Sequence, residues 1–193
     1  MNRKLVATVL ALAMVVSLIP ILALADGNNQ GANSCCCTVG EVSGGAVVSY
    51  GTLDELVQSP VMKAQIKKAL AEQGIEIKPE KAVWTIQMTP GSYTTDFSTL
   101  NNLMWKDFDV FIFILMGSGT WKMEIKDCCI MGDTMKALGR VAGQKVSGQA
   151  TSPSYITLGP LAGGPFSIGI VITGYTACPG GFPAGYDWYA WYD

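Results

Sequence analysis

From Thr120 to Lys126 the chain alternates without interruption: Trp121, Met123 and Ile125 are large and apolar, and Lys122, Glu124 and Lys126 are charged. Successive side chains of a strand point to opposite faces, so this run has one dry face and one wet face. A second layer must cover the dry one. Ala82, Trp84, Ile86 and Met88 repeat the pattern, with Val83, Thr85 and Gln87 between them. Asp109–Met116 is nearly all apolar instead, as expected of a central strand buried on both faces. Pro90-Gly91 is a turn signal, and Ser92–Phe97 makes a returning strand after it.

Helical signals precede these strands. Thr52 and Glu55 have the spacing of a capping box, and Ser59-Pro60 offers a second start with serine as cap and proline at the first helical position. Met62, Ile66, Ala69 and Leu70 then recur on one helical stripe, Lys63, Lys67 and Glu72 mostly avoid it, and Gly74 is placed to end the helix. The expected fold class is α+β: an N-terminal amphipathic helix packed on an antiparallel sheet of three to five strands, followed by a Gly/Pro/aromatic-rich C-terminal segment. After Arg140 the only charges are Lys145, Asp187 and Asp193. Ser167–Tyr175 is the strong strand candidate there and Tyr155–Leu158 a weaker one, and these either complete the preceding sheet or form a separate loose segment.

The N-terminus reads as an export signal. Arg3 and Lys4 precede the uncharged stretch Leu5–Leu24, and Ala23-Leu24-Ala25 is a small-residue cleavage site before Asp26. The organisation expected is a signal peptide over 1–25, an irregular cysteine-containing segment over 26–51, an α+β domain over 52–140 and the C-terminal segment over 141–193. Cleavage after Ala25 would leave a secreted or extracellular chain with no transmembrane span, since Phe108–Met116 is too short to cross a bilayer. With 13 basic against 15 acidic residues and no basic cluster, nucleic acid is not an expected partner. Lys63, Lys67 and Lys68 read as the wet face of the helix.

The chain contains no histidine. That removes Ser-His and Cys-His nucleophile pairs, imidazole zinc sites and the commonest general base near neutral pH. Carboxylate, lysine and thiol chemistry remain. Asp107 and Asp109 flank Phe108 and would point the same way on a strand, as paired carboxylates for acid–base hydrolysis or as edge and turn residues.

The six cysteines are Cys35, Cys36, Cys37, Cys128, Cys129 and Cys178. An even count in an exported chain favours disulfides, and neighbours seldom pair with each other, so Cys35–Cys37 against Cys128, Cys129 and Cys178 is the expected arrangement. Thiolate binding of zinc or copper(I) is an alternative, although the run lacks C-x-x-C spacing. Redox catalysis would want that same motif. Lipid attachment would want a cysteine directly after the apolar stretch.

Tyr186, Trp188, Tyr189, Trp191 and Tyr192 cluster near the C-terminus. Such a group either engages sugars, a membrane interface or a protein partner, or caps the core with its polar tips outward. The stretch Val57 to Ile86, in "VMKAQIKKALAEQGIEIKPEKAVWTI", resembles secreted bacteriocin-like precursors, the halocin C8-like group among them. That resemblance implies a signal peptide and a helix-plus-sheet leader region ahead of a releasable, often Cys-rich C-terminal peptide. Here the C-terminal part holds one cysteine, Cys178, and no functional residue is carried over.

The expectation is a secreted, non-enzymatic, disulfide-stapled protein without cofactor that binds a protein, envelope or membrane-surface partner. The alternatives are a carboxylate-dependent hydrolase and a thiolate metal-binding protein.

Overall fold

The computed structural model describes residues 42–100, 108–127, 134–151, 154–177 and 184–193. All six cysteines, Asp107 and residues 1–41 lie outside these described residues. The chain runs through β1 (Val42–Gly44), β2 (Val47–Thr52), the one-turn helix α1 (Leu53–Leu56), α2 (Pro60–Glu72), β3 (Ala82–Met88) and β4 (Ser92–Leu100). It continues through β5 (Asp109–Met116), β6 (Gly119–Asp127), β7 (Thr134–Val141) and β8 (Gln144–Thr151). Last come β9 (Tyr155–Gly163), β10 (Phe166–Ala177) and β11 (Ala184–Tyr192).

The strands form two sheets, a five-stranded one in the order β1-β4-β11-β6-β9 and a six-stranded one in the order β2-β3-β5-β10-β7-β8. Every pairing is antiparallel except β3 with β5. That parallel pair arises because β4, between them in sequence, crosses to the other sheet. The two sheets pack face to face. Ile86, Met88, Phe111, Phe113, Leu115 and Val171 of one meet Trp121, Met123, Ile125, Ile156, Leu158 and Trp188 of the other in one buried cluster.

A second cluster lies on the outer face of the six-stranded sheet. There Leu53, Val57, Ile66 and Leu70 of the helical segment cover Val83, Val110, Ile112, Ile170 and Ile172. The capping signals at the start of this segment are realised. The Thr52 hydroxyl accepts from the Glu55 N–H while the Glu55 carboxylate accepts from the Thr52 N–H, and Ser59 caps α2 with Pro60 at its first position. Gly74 follows the helix at φ +68°.

The expected α+β class is therefore corrected. The chain is mostly strand, a two-sheet sandwich with a short helical cover on one outer face, in place of one helix on a single sheet of three to five strands. Two features explain the difference. The segment 26–51, expected to be irregular, contributes β1 and β2 from its last ten residues. The expected boundary between 140 and 141 falls inside β7, and the Gly- and aromatic-rich remainder supplies β8 to β11, with β10 and β11 in the interior of the two sheets. Low charge and high glycine content, read as looseness, here belong to paired strands, with β10 and β11 flanked by a neighbour on each edge. Among the described residues no helix is long and apolar enough to cross a membrane.

Candidate functional site

Strand β11 pairs with β4 on one side and β6 on the other, so each of its residues has a fixed neighbour on both flanks. Alternation then splits the C-terminal aromatic cluster in two. Tyr186, Trp188 and Tyr192 point into the sandwich and are fully buried, and Tyr189 and Trp191 lie on the outer face.

The inward group is structural. Trp188 meets Trp84 and Phe111 edge-on, with ring centroids 5.4 and 5.1 Å away. The Tyr192 hydroxyl donates to the Gly117 carbonyl at 2.5 Å. The Tyr186 hydroxyl donates to the Asp109 carboxylate at 2.5 Å, and Ser98 donates a short hydrogen bond to the same oxygen. Tyr175, two residues along β10 from Thr173, has its hydroxyl 3.1 Å from both an Asp127 carboxylate oxygen and the Gly185 carbonyl. This polar cluster sits between the sheets at the end where β4 stops and β11 starts. Burial, and then the charge of Asp109, hold the Tyr186 phenol well above the usual tyrosine range.

Asp109, one of the two sequence candidates for acid–base work, is thus a buried acceptor for Tyr186 and Ser98. Its expected companion Asp107 lies outside the described residues. The six cysteines offered as disulfide or metal ligands also lie outside them.

The outward group has a different character. The Tyr189 and Trp191 rings stack, with centroids 6.0 Å apart and planes 13° from parallel. The Lys122 amine lies over Trp191 at 5.3 Å from the ring centroid, and it pairs with Glu124 at 2.6 Å. Cross-strand register extends the surface in rows. Trp191 stands between Tyr93 of β4 and Lys122 of β6, and Tyr189 between Thr95 and Glu124. Lys126 faces Tyr155 of β9, whose ring centroid is 5.9 Å from its amine, and Glu124 faces Thr157. Tyr93 is 44% exposed and Tyr155 is 57% exposed. Asp187, in register with Lys126, is buried, so the open ground runs from Tyr93 past Trp191 and Lys122 toward Tyr155.

Tyr93 lies against the neighbouring strand. A Cβ on Gly44 of β1 would fall 2.1 Å from the Tyr93 ring, so only glycine there leaves the ring room to lie over β1. Thr95 and Asp187, on the same outward side, are buried, and the open part of the face is the part that carries Tyr93, Lys122, Thr157 and Tyr155; the outer face of the other sheet carries the helical segment. A second concave region, between α1, the end of α2 and residues 75–79, is floored by Leu53 and Leu70 of the helix–sheet core.

Sequence reasoning found two of the surface aromatics, Tyr189 and Trp191, and missed Tyr93, Tyr155 and the Lys122–Glu124 pair. The signal was present in the wet side of the Trp121–Ile125 alternation, which reads as plain solvation until its cross-strand neighbours are known. No known protein family, curated protein or solved structure matches this chain.

Proposed function

We propose that this chain is an exported, non-enzymatic binding protein that engages a partner at the cell exterior through the outer face of its five-stranded sheet. One observation carries the reading. That face presents Tyr93, Tyr189, Trp191 and Tyr155 interleaved with Lys122, Glu124 and Lys126, with Tyr93 and Tyr155 exposed at its two ends. Aromatic groups with polar companions on a rigid sheet are the composition of recognition surfaces. The signal-like first 25 residues support export.

Disulfide stapling belongs to the same proposal and draws support from strand directions. β1 runs antiparallel to β4, with Val42 beside Thr95 and Gly44 beside Tyr93, so Val42 is the end of β1 nearer Leu100. Cys37 lies five residues before Val42, a reach of about 17 Å when extended, and β4 spans the same number of residues from Thr95 to Leu100. Asp127 and Ala177, at that same end, lead directly into Cys128 and Cys178. Titration of free thiols in the exported protein checks this: none is expected, and six free thiols would favour metal or redox chemistry.

The binding reading is tested with purified residues 26–193 and washed envelopes of the producing cells. Wild-type protein is expected to sediment with envelopes, and Trp191→Ala combined with Lys122→Ala is expected to stay in the supernatant while still unfolding cooperatively within about 5 °C of wild type. Equal sedimentation of the double variant would remove the sheet face from the reading.

A further inference from the structure

We propose that the outer face of the five-stranded sheet binds an extended, uncharged glycan chain, with the exposed face of Tyr93 as the stacking platform. This rests on the binding reading above and names its ligand. A sugar ring has a C–H face that packs on an aromatic plane, and hydroxyls around its rim that need both donors and acceptors. Tyr93 offers the plane: its ring lies over Gly44 on one side and is open to solvent on the other. Trp191 stands next to it in register, held by Tyr189 and by the Lys122 amine.

The polar groups beside these rings supply both halves of the hydrogen-bonding requirement. Lys122 donates, Glu124 accepts, and the exposed Thr157 does either. Lys122 pairs with Glu124 at 2.6 Å and Lys126 stands in register with Asp187, so basic and acidic side chains are equal in number on this face and nothing in the balance favours an anionic polymer. A protein partner fits less well, because the centres of protein interfaces are depleted in lysine and glutamate, which is what stands between the rings here. A lipid surface would have to bury the same two charges.

The geometry also sets the ligand's size. Tyr93 and Tyr155 are three strand spacings apart across the sheet, and Lys122 and Lys126 are four residues apart along β6. The diagonal between the two exposed tyrosines is therefore about 20 Å. A single sugar cannot touch both, but a chain of several can.

The test uses the envelope assay with three treatments. Periodate, which cleaves vicinal diols, is expected to abolish binding. Protease treatment of the envelopes and about 0.5 M salt, which screens exposed charges strongly, are expected to leave binding intact. Tyr93→Ala is expected to weaken binding about tenfold, the effect of losing one stacked ring, with an unchanged unfolding transition. Tyr93→Phe keeps the plane and is expected to bind within about twofold of wild type.

Periodate-resistant, protease-sensitive binding would overturn the glycan and point to a protein partner, leaving the binding reading in place. Binding lost in salt would overturn the uncharged ligand in the same way. Absence of binding to untreated envelopes would overturn both.

Discussion

Tyr186 and Asp109 show how one buried pair constrains the chain. A carboxylate between two sheets is costly unless donors point at it, and Tyr186 and Ser98 both do. Tyr186→Phe is expected to cost about 1–3 kcal/mol at neutral pH, because it removes one donor and keeps the charge. The pH dependence has a definite sign. The Tyr186 phenol is held above its ordinary value in the fold, by burial first and by Asp109 second. Below the unfolded value of about 10 both states keep the proton and the contribution is complete. Above it the unfolded chain deprotonates first, and stability falls as pH rises. Urea unfolding between about pH 9 and about pH 11 should therefore show a steeper loss for wild type than for Tyr186→Phe. Parallel curves would mean that Tyr186 does not titrate differently in the two states. The sequence marks Asp109 as a charge opening an apolar strand, but its partners lie 11 and 77 residues away along the chain. No local pattern reports a contact of that range.

At the scale of elements, what could be read in advance depended on whether a segment's neighbours are local. The caps of α1 and α2 are satisfied within three residues, and they were legible. β3, β5 and β6 were legible because each carries enough large apolar side chains to display its period. β7 was not. Its inward positions Met135, Ala137 and Val141 are interrupted by Gly139, where a Cβ would stand 2.0 Å from the Ile170 carbonyl oxygen of β10. β8 buries Val146 beside a chain of small and polar residues, a signal too sparse to stand out. β11 has aromatics on both faces, so its alternation is visible only once the inward side is known. The two faces should respond differently to substitution. Trp188→Ala is expected to cost about 3–5 kcal/mol in a denaturation experiment, and Trp191→Ala only about 1 kcal/mol, the worth of its ring contacts. Comparable losses at both positions would mean that the outer face is covered in the folded protein.

At the scale of the molecule, β10 lies between β5 and β7, and β11 is the middle strand of the five. A chain ending at Val141 lacks both and is expected to show neither a compact elution volume nor a cooperative melt. A well-folded product from that truncation would mean that residues 52–140 form a unit of their own. The same placement bears on the bacteriocin-like resemblance, since freeing a C-terminal peptide would take apart both sheets. Mass spectrometry of culture supernatant is expected to find residues 26–193 intact, and a fragment of about 50 residues from the C-terminus would overturn this. The order of strands also sets a schedule. β10 is the sole link between β2-β3-β5 and β7-β8, and β11 the sole link between β1-β4 and β6-β9, so a ribosome that has made everything up to β9 has made four sheet fragments whose facing edges have no strand between them. Closure of both sheets waits for β10 and β11 to leave the ribosome.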